Sequence, residues 1–144
     1  MPYQVEFDST NQILRACFKG RVTDEELKAF YQHATEIASH INPRAGITDF
    51  SAVTSFEVSP NTIRGLAKLP PALPDPAKPR VIVAPIPHVF GMASMFGIEG
   101  QETRPNHHVV RTMREACAIL GVQEPHFEAI QTDQLRARSV VGSD

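Results

Sequence analysis

Six histidines, two cysteines and a scatter of serines and aspartates are the side chains of this sequence that could do chemistry. His107 and His108 are adjacent in a run that reads as a strand. Their side chains therefore leave opposite faces and do not easily share a metal ion. His33 and His40 lie seven residues apart on a helical pattern, two turns, which is too far for one ion. No cysteine neighbours any of them, so neither a metal site nor a cofactor is expected. Ser59, His88 and Asp49 can be drawn as nucleophile, base and orienting acid, because each falls near a strand or helix end on one edge. A hydrolase would place such a serine on a Gly-x-Ser-x-Gly elbow, and the sequence has none. Asp49 and Ser51 close a short apolar run, at the end of a strand where open α/β sheets place ligands. The plainer role for the pair is an Asx-type turn at the strand exit. Ser59-Pro60 reads as a helix N-cap followed by proline at the first helical position.

Composition bounds what those residues can serve. The chain has 144 residues, one domain's worth, of which 42% are hydrophobic and 21% charged, the profile of ordinary globular protein. A domain of this size buries about 70% of its unfolded surface and needs no staples. Fourteen basic and sixteen acidic residues give a net charge of -2, which argues against nucleic acid as the main partner. Cys17 and Cys117, a hundred residues apart, read as small apolar groups and not as a disulfide framework. The opening MPYQVEF lacks the pattern of a signal peptide, and no apolar run approaches a membrane span. The expected compartment is the cytoplasm.

The elements that must position the candidate residues follow from periodicity. Tyr3, Val5 and Phe7 alternate with polar residues, as do Leu14, Ala16 and Phe18; Asp8-Ser9-Thr10-Asn11 supplies the turn between them, and Gly20 ends the second run. This is an antiparallel hairpin. Thr23-Asp24-Glu25-Glu26 is a capping box, and Leu27, Phe30, Tyr31, Ala34, Ile37, Ala38 and Ile41 form one helical stripe that Asn42-Pro43 stops. Ala45 to Phe50 reads as a short buried strand, and Ile63, Leu66 and Ala67 as the inner face of a second helix. Five prolines between Pro70 and Pro79 exclude helix or central strand and make a stiff surface connection. Arg80-Val81-Ile82-Val83-Ala84 is a central parallel strand. His88 to about Gly100 is a third helix, apolar nearly all round. His107 to Val110 is a last strand, and Thr112-Met113-Arg114-Glu115 caps a fourth helix that Gly121 closes. Residues 123–144 lose periodicity and read as a mobile or loosely docked tail that Phe127 and Ile130 could anchor in part. The order is β-β-α-β-α-β-α-β-α, an α/β fold with a mostly parallel mixed sheet that opens on an antiparallel hairpin.

Four stretches, in this order, resemble the SpoIIAA-like (STAS/SEC14-type) family within the STAS-domain superfamily of anti-sigma-factor antagonists. They are Gly20-x-Val22-Thr23-x-Glu25-Glu26-Leu27, Ile47-Thr48-Asp49-Phe50-Ser51-x-Val53, Val83-Ala84-Pro85 with Phe90-Gly91-Met92-Ala93-x-Met95-Phe96, and Val110-x-Thr112-x-x-Glu115-Ala116 with Leu120-Gly121. The resemblance covers residues 1–122. It implies a non-enzymatic protein-interaction or regulatory module. Some relatives in the superfamily carry a phosphorylated serine at the start of the second helix, which would fall at Ser59; here Phe56-Glu57-Val58-Ser59-Pro60 lacks their Asp-Ser-Ser-Gly pattern. Ser94 stands where the family often has arginine, which puts in doubt any anion contact of that arginine.

A helix apolar all round is buried or covers a partner. Two Met and two Phe make such a surface adaptable. The expected ligand or partner surface is therefore Asp49, Ser51, Ser59, Phe90, Met92, Met95 and Phe96, and the expected partner a second copy of the chain or a regulatory protein. The alternative is a carrier of a small apolar or lipid-like molecule, held between the third helix, the first helix and the sheet. A cryptic hydrolase built on Ser59 and His88 is the third reading.

Overall fold

A computed structural model describes residues 3–130. The elements are β1 (Tyr3–Asp8), β2 (Ile13–Thr23), α1 (Asp24–Ile41), β3 (Ala45–Glu57), α2 (Pro60–Lys68), β4 (Arg80–Val83), α3 (Pro87–Glu99), β5 (His107–Val110), α4 (Met113–Leu120) and β6 (Glu128–Ala129). The order expected from the sequence is present, with one short strand after it. The sheet runs β5-β4-β3-β2-β1-β6. Strands β2 to β5 are parallel neighbours, while β1 is antiparallel to β2 and to β6.

Local chemistry sets the helix ends. Thr23 caps α1 by accepting from the Glu26 N–H at 3.4 Å. The return half of that capping box is not made, and Glu26 Oε2 is buried without a partner among the described residues. Asp24 instead turns to α2 and accepts the Ser59 N–H at 2.7 Å. At α4 the Thr112 hydroxyl accepts from the Glu115 N–H and donates to the Glu115 carboxylate. Helix α3 has no side-chain cap and starts on Pro87.

Side chains alternate across the sheet and divide the core in two. Ile13, Ala45, Ile47, Val81, Val83 and Val110 form one cluster with Ala116 and Leu120 of α4. Ala16, Phe18, Phe50 and Ile82 meet Leu27 of α1, Ile63 and Leu66 of α2, and Val89 and Met92 of α3 on the other face. Helix α4 therefore covers one face and α1, α2 and α3 the other.

Two strand ends differ from the sequence reading. Gly20 does not end β2; it takes φ +71°, which suits glycine, and the strand continues to Thr23. Strand β3 does not stop at Phe50 but runs to Glu57, paired with the extended β2. Two irregularities, between Cys17/Lys19 and Gly20/Arg21, absorb the mismatch in length. The proline-rich connection is not wholly a surface feature either, because Leu73 is buried among Val5, Leu14, Ile37 and Ala38. Beyond α4, Val122 is buried, the His126 N–H donates to Asp8, and β6 pairs with β1. Residues 131–144 of the tail expected from the sequence lie outside the described residues.

Candidate functional site

The residues singled out from sequence do not converge. Asp49 lies inside β3, not at its exit, on the face of the sheet that α4 covers. Its Oδ1 accepts from the Ser51 N–H at 2.9 Å and from the Ser51 hydroxyl at 2.5 Å, at the first irregularity of β3. The pair shapes the strand locally. Ser59 caps α2: its Oγ accepts from the Thr62 N–H at 3.2 Å and bonds the Thr62 hydroxyl at 3.1 Å. The Asp24 carboxylate sits beside it, and the Ser59 backbone N–H holds that carboxyl below the usual range. His88 is exposed and lies edge-on to Phe56. No hydrogen bond joins Ser59, His88 and Asp49. Among the described residues, no group of three or more His, Cys, Asp or Glu could hold a metal ion. Cys17 donates to Glu6, and burial, chiefly, pushes its thiol up to about 12, which makes it a poor nucleophile.

Helix α3 turns most of its apolar side chains inward. Met92 is buried, and Phe90, Met95 and Phe96 are half-buried against the core. Phe90 also carries the Arg111 guanidinium at 4.2 Å from its ring centroid. The residue of α3 most exposed among its large apolar ones is Ile98, at 72%.

Between α1, α3 and the sheet lie two chambers of about 160 and 100 Å³. Phe30, Tyr31, Thr48, Ile82 and Phe96 line both. This is why the stripe of α1 is incompletely buried: Phe30 packs edge-on to Phe18 and Tyr3 of the sheet, yet it, Tyr31 and Ala34 also border the open space. Strand register supplies the floor of the larger chamber. Leu14, Gly46, Arg80 and His107 are partners across four successive strands, and Ala16, Thr48 and Ile82 form the next row. Gly46 leaves a gap in the first row, and a Cβ there would come 3.2 Å from Leu73. Pro71, Ala72 and Leu73 of the proline-rich connection form one wall.

The polar groups of the larger chamber are cationic or neutral. Arg80 donates through Nη2 to the carbonyls of Leu73 and Asp75 at 3.0 and 2.9 Å, while its Nε and Nη1 are buried with no partner among the described residues. Arg104, 3% exposed, donates to the carbonyls of Ala67, Leu66 and Leu69 at the C-terminal end of α2, where a cation is favoured. Its guanidinium lies 4.8 Å from the Phe96 ring centroid. Burial holds both arginines below their ordinary pKa; the Arg104 charge adds to the effect at Arg80, the Asp75 carboxylate offsets it there, and the Tyr31 hydroxyl offsets it at Arg104. Both nonetheless stay protonated at neutral pH. Neither forms an ion pair with a carboxylate among the described residues.

His107 completes the row. Its ring lies against α3 at Gly97, where a Cβ would fall 2.9 Å from Nε2, so only glycine admits it. Nε2 is buried with no hydrogen bond of adequate geometry. Burial first, then the charges of His108, Arg104 and Arg80, lower its pKa to about 4, against a smaller opposing pull from the Ala93 carbonyl. The ring is neutral at pH 7.

Arg80, Arg104, His107, Tyr31 and Thr48 were not part of the surface expected from sequence, where His107 was weighed only as a metal ligand. Arg80 carried a signal, a charge heading an otherwise apolar strand. Arg104 carried none, because it lies in a turn without periodicity, 35 to 38 residues from the carbonyls it binds.

No family model matches the chain, and no curated protein does. Among solved structures, the chain is similar to the phosphorylated form of the Bacillus cell fate determinant SpoIIAA, at 15% identity and a TM-score of 0.52. The match covers 81% of this chain and 98% of that one. At that identity the likeness is one of architecture, and the fold of this chain is the SpoIIAA-like mixed α/β fold.

Proposed function

We propose that this chain is a non-enzymatic regulatory module of SpoIIAA-like fold whose input is a small apolar molecule held in the two chambers. The observation that carries the reading is the pair of adjoining apolar chambers between α1, α3 and the sheet. A cavity of about 150 Å³ lined by apolar side chains accommodates benzene, so the larger chamber has room for a ring or a short chain. The partners of Ser59, His88 and Asp49, none of them shared among the three, support the non-enzymatic part of the reading. At Ser59 the hydroxyl is engaged as a cap beside Asp24, whose charge would oppose an added phosphate.

The test is calorimetric titration of the full chain with a medium-chain alcohol such as octanol, alongside Ala34→Leu, which fills the larger chamber. Saturable one-to-one binding that the substitution abolishes is the expected result. If octanol does not bind the unsubstituted chain, and native mass spectrometry after mild extraction finds no co-purified molecule, the ligand reading is lost.

A second reading keeps α3 as a contact surface between two copies of the chain. Its support is Ile98, the most exposed large apolar side chain among the described residues. Sedimentation velocity decides it: a dimer that Ile98→Lys dissociates is expected, and a monomer at high concentration removes the reading.

A further inference from the structure

The larger chamber is apolar over most of its lining, yet its floor presents Arg80 and His107 side by side on paired strands, with Arg104 at its edge. This is an unusual way to bury charge. Arg104 is accounted for by the α2 carbonyls, which it caps. Arg80 is not: two of its nitrogens are buried unpaired, and the charge nearest in influence is a second cation. Leaving donors of a charged group unpaired costs more than leaving neutral ones so. His107 beside it adds no positive charge at neutral pH, and its ring has only the Ala93 carbonyl as a partner. The arrangement lacks one thing, a negative charge in the chamber.

We propose that the larger chamber seats the carboxylate of a small apolar acid at the Arg80 guanidinium, beside Arg104 and His107, with the acid's chain or ring filling the apolar remainder. The inference rests on the reading of the chambers as a ligand site. A carboxylate fits better than a phosphate for two reasons. A single charge is matched by the one cation on the floor, Arg80, whereas a dianion would need several more donors, and the further hydroxyls on the lining are those of Tyr31 and Thr48. The shared wall of Phe30, Ile82 and Phe96 also gives a hydrocarbon chain a route from the charged chamber into the smaller, more apolar one.

Titration calorimetry at pH 7 with octanoate, octanol and octyl phosphate, on the full chain and on Arg80→Met, tests the proposal. Octanoate should bind roughly tenfold or more tighter than octanol, since a hydrogen bond to a charged group is worth about one order of magnitude in affinity. Arg80→Met should bring the two within about twofold while octanol binding persists, which also reports that the variant is folded. Should Arg80→Met fail to fold, Arg80→Lys and the acid-to-alcohol ratio of the unsubstituted chain carry the same comparison, with Lys retaining part of the preference. Equal affinity for octanoate and octanol, or a preference unchanged in Arg80→Met, overturns the acid seat and leaves the apolar site standing. Tighter binding of octyl phosphate than octanoate overturns the choice of carboxylate. Binding of none of the three overturns both this inference and the reading on which it rests.

Discussion

His107 is the residue whose surroundings make the clearest measurable demand. Its ring protonates near pH 4 in the folded chain and near 6.5 when solvated. Between those values the unfolded chain holds more protons, so stability falls as pH drops from about 6.5 to about 4 and is fully present above that window. The shift bounds the loss at about 3 kcal/mol. Urea titrations across pH 4 to 7 should show this slope in the unsubstituted chain and a flatter one in His107→Gln. An equal slope in both would assign the acid sensitivity to other groups. Asp8 contributes at lower pH. Burial alone would raise its carboxyl, but hydrogen bonds from Asn11, His126 and Thr10 outweigh that and lower it. Its stabilising effect is therefore present above the ordinary carboxylate range and is lost on further acidification.

At the scale of elements, the junction of α1 and α2 is tied by side-chain caps. Thr23, Asp24, Ser59 and Thr62 form one continuous set of caps, in which the first turn of α1 binds the backbone just before α2. Replacing Ser59 by Ala should cost about 1 kcal/mol in chemical denaturation, the usual loss for an N-cap, while Ser59→Thr retains most of it. A loss in both variants alike would point to a role other than capping. The two threonine N-caps, Thr23 and Thr112, were legible because they rest on neighbours in sequence. The true length of β3 was not: Ser51, Ala52, Thr54 and Ser55 are exposed and break the apolar run, and only pairing with β2 makes the segment a strand.

At the scale of the molecule, the sheet is closed at one edge by the chain's own late segment. β6 pairs with β1, the Ile130 N–H donates to Val5, and Arg15 lies 3.9 Å from the Phe127 ring centroid. Covering an otherwise open edge removes a template for association. Phe127→Ala should cost about 1 to 2 kcal/mol through lost packing and cation–π contact, and should speed proteolysis near residues 123–130. Thermal melts and limited proteolysis measure both. An unchanged melt would place Phe127 outside the cooperative unit. The two chambers beneath α1 and α3 leave that face of the sheet less densely filled, so Ala34→Leu should leave the melt unchanged or raise it.

The sequence by itself determined the element order, the mixed sheet and the α1 and α4 caps, because periodicity, turn residues and capping act between residues a few positions apart. It also placed an apolar space between the first helix, the third helix and the sheet as one of its readings. Only the tertiary structure decided what faces that space. Parallel register set Leu14, Gly46, Arg80 and His107 in one row across four strands, and such register depends on contacts far apart in the chain. The same packing drew Asp49, Ser51 and Ser59 into local turns and caps. Asp49, Ser51 and Ser59 thus make local hydrogen bonds, whereas an arginine heading a Val-Ile-Val strand and one of the six histidines line the candidate site.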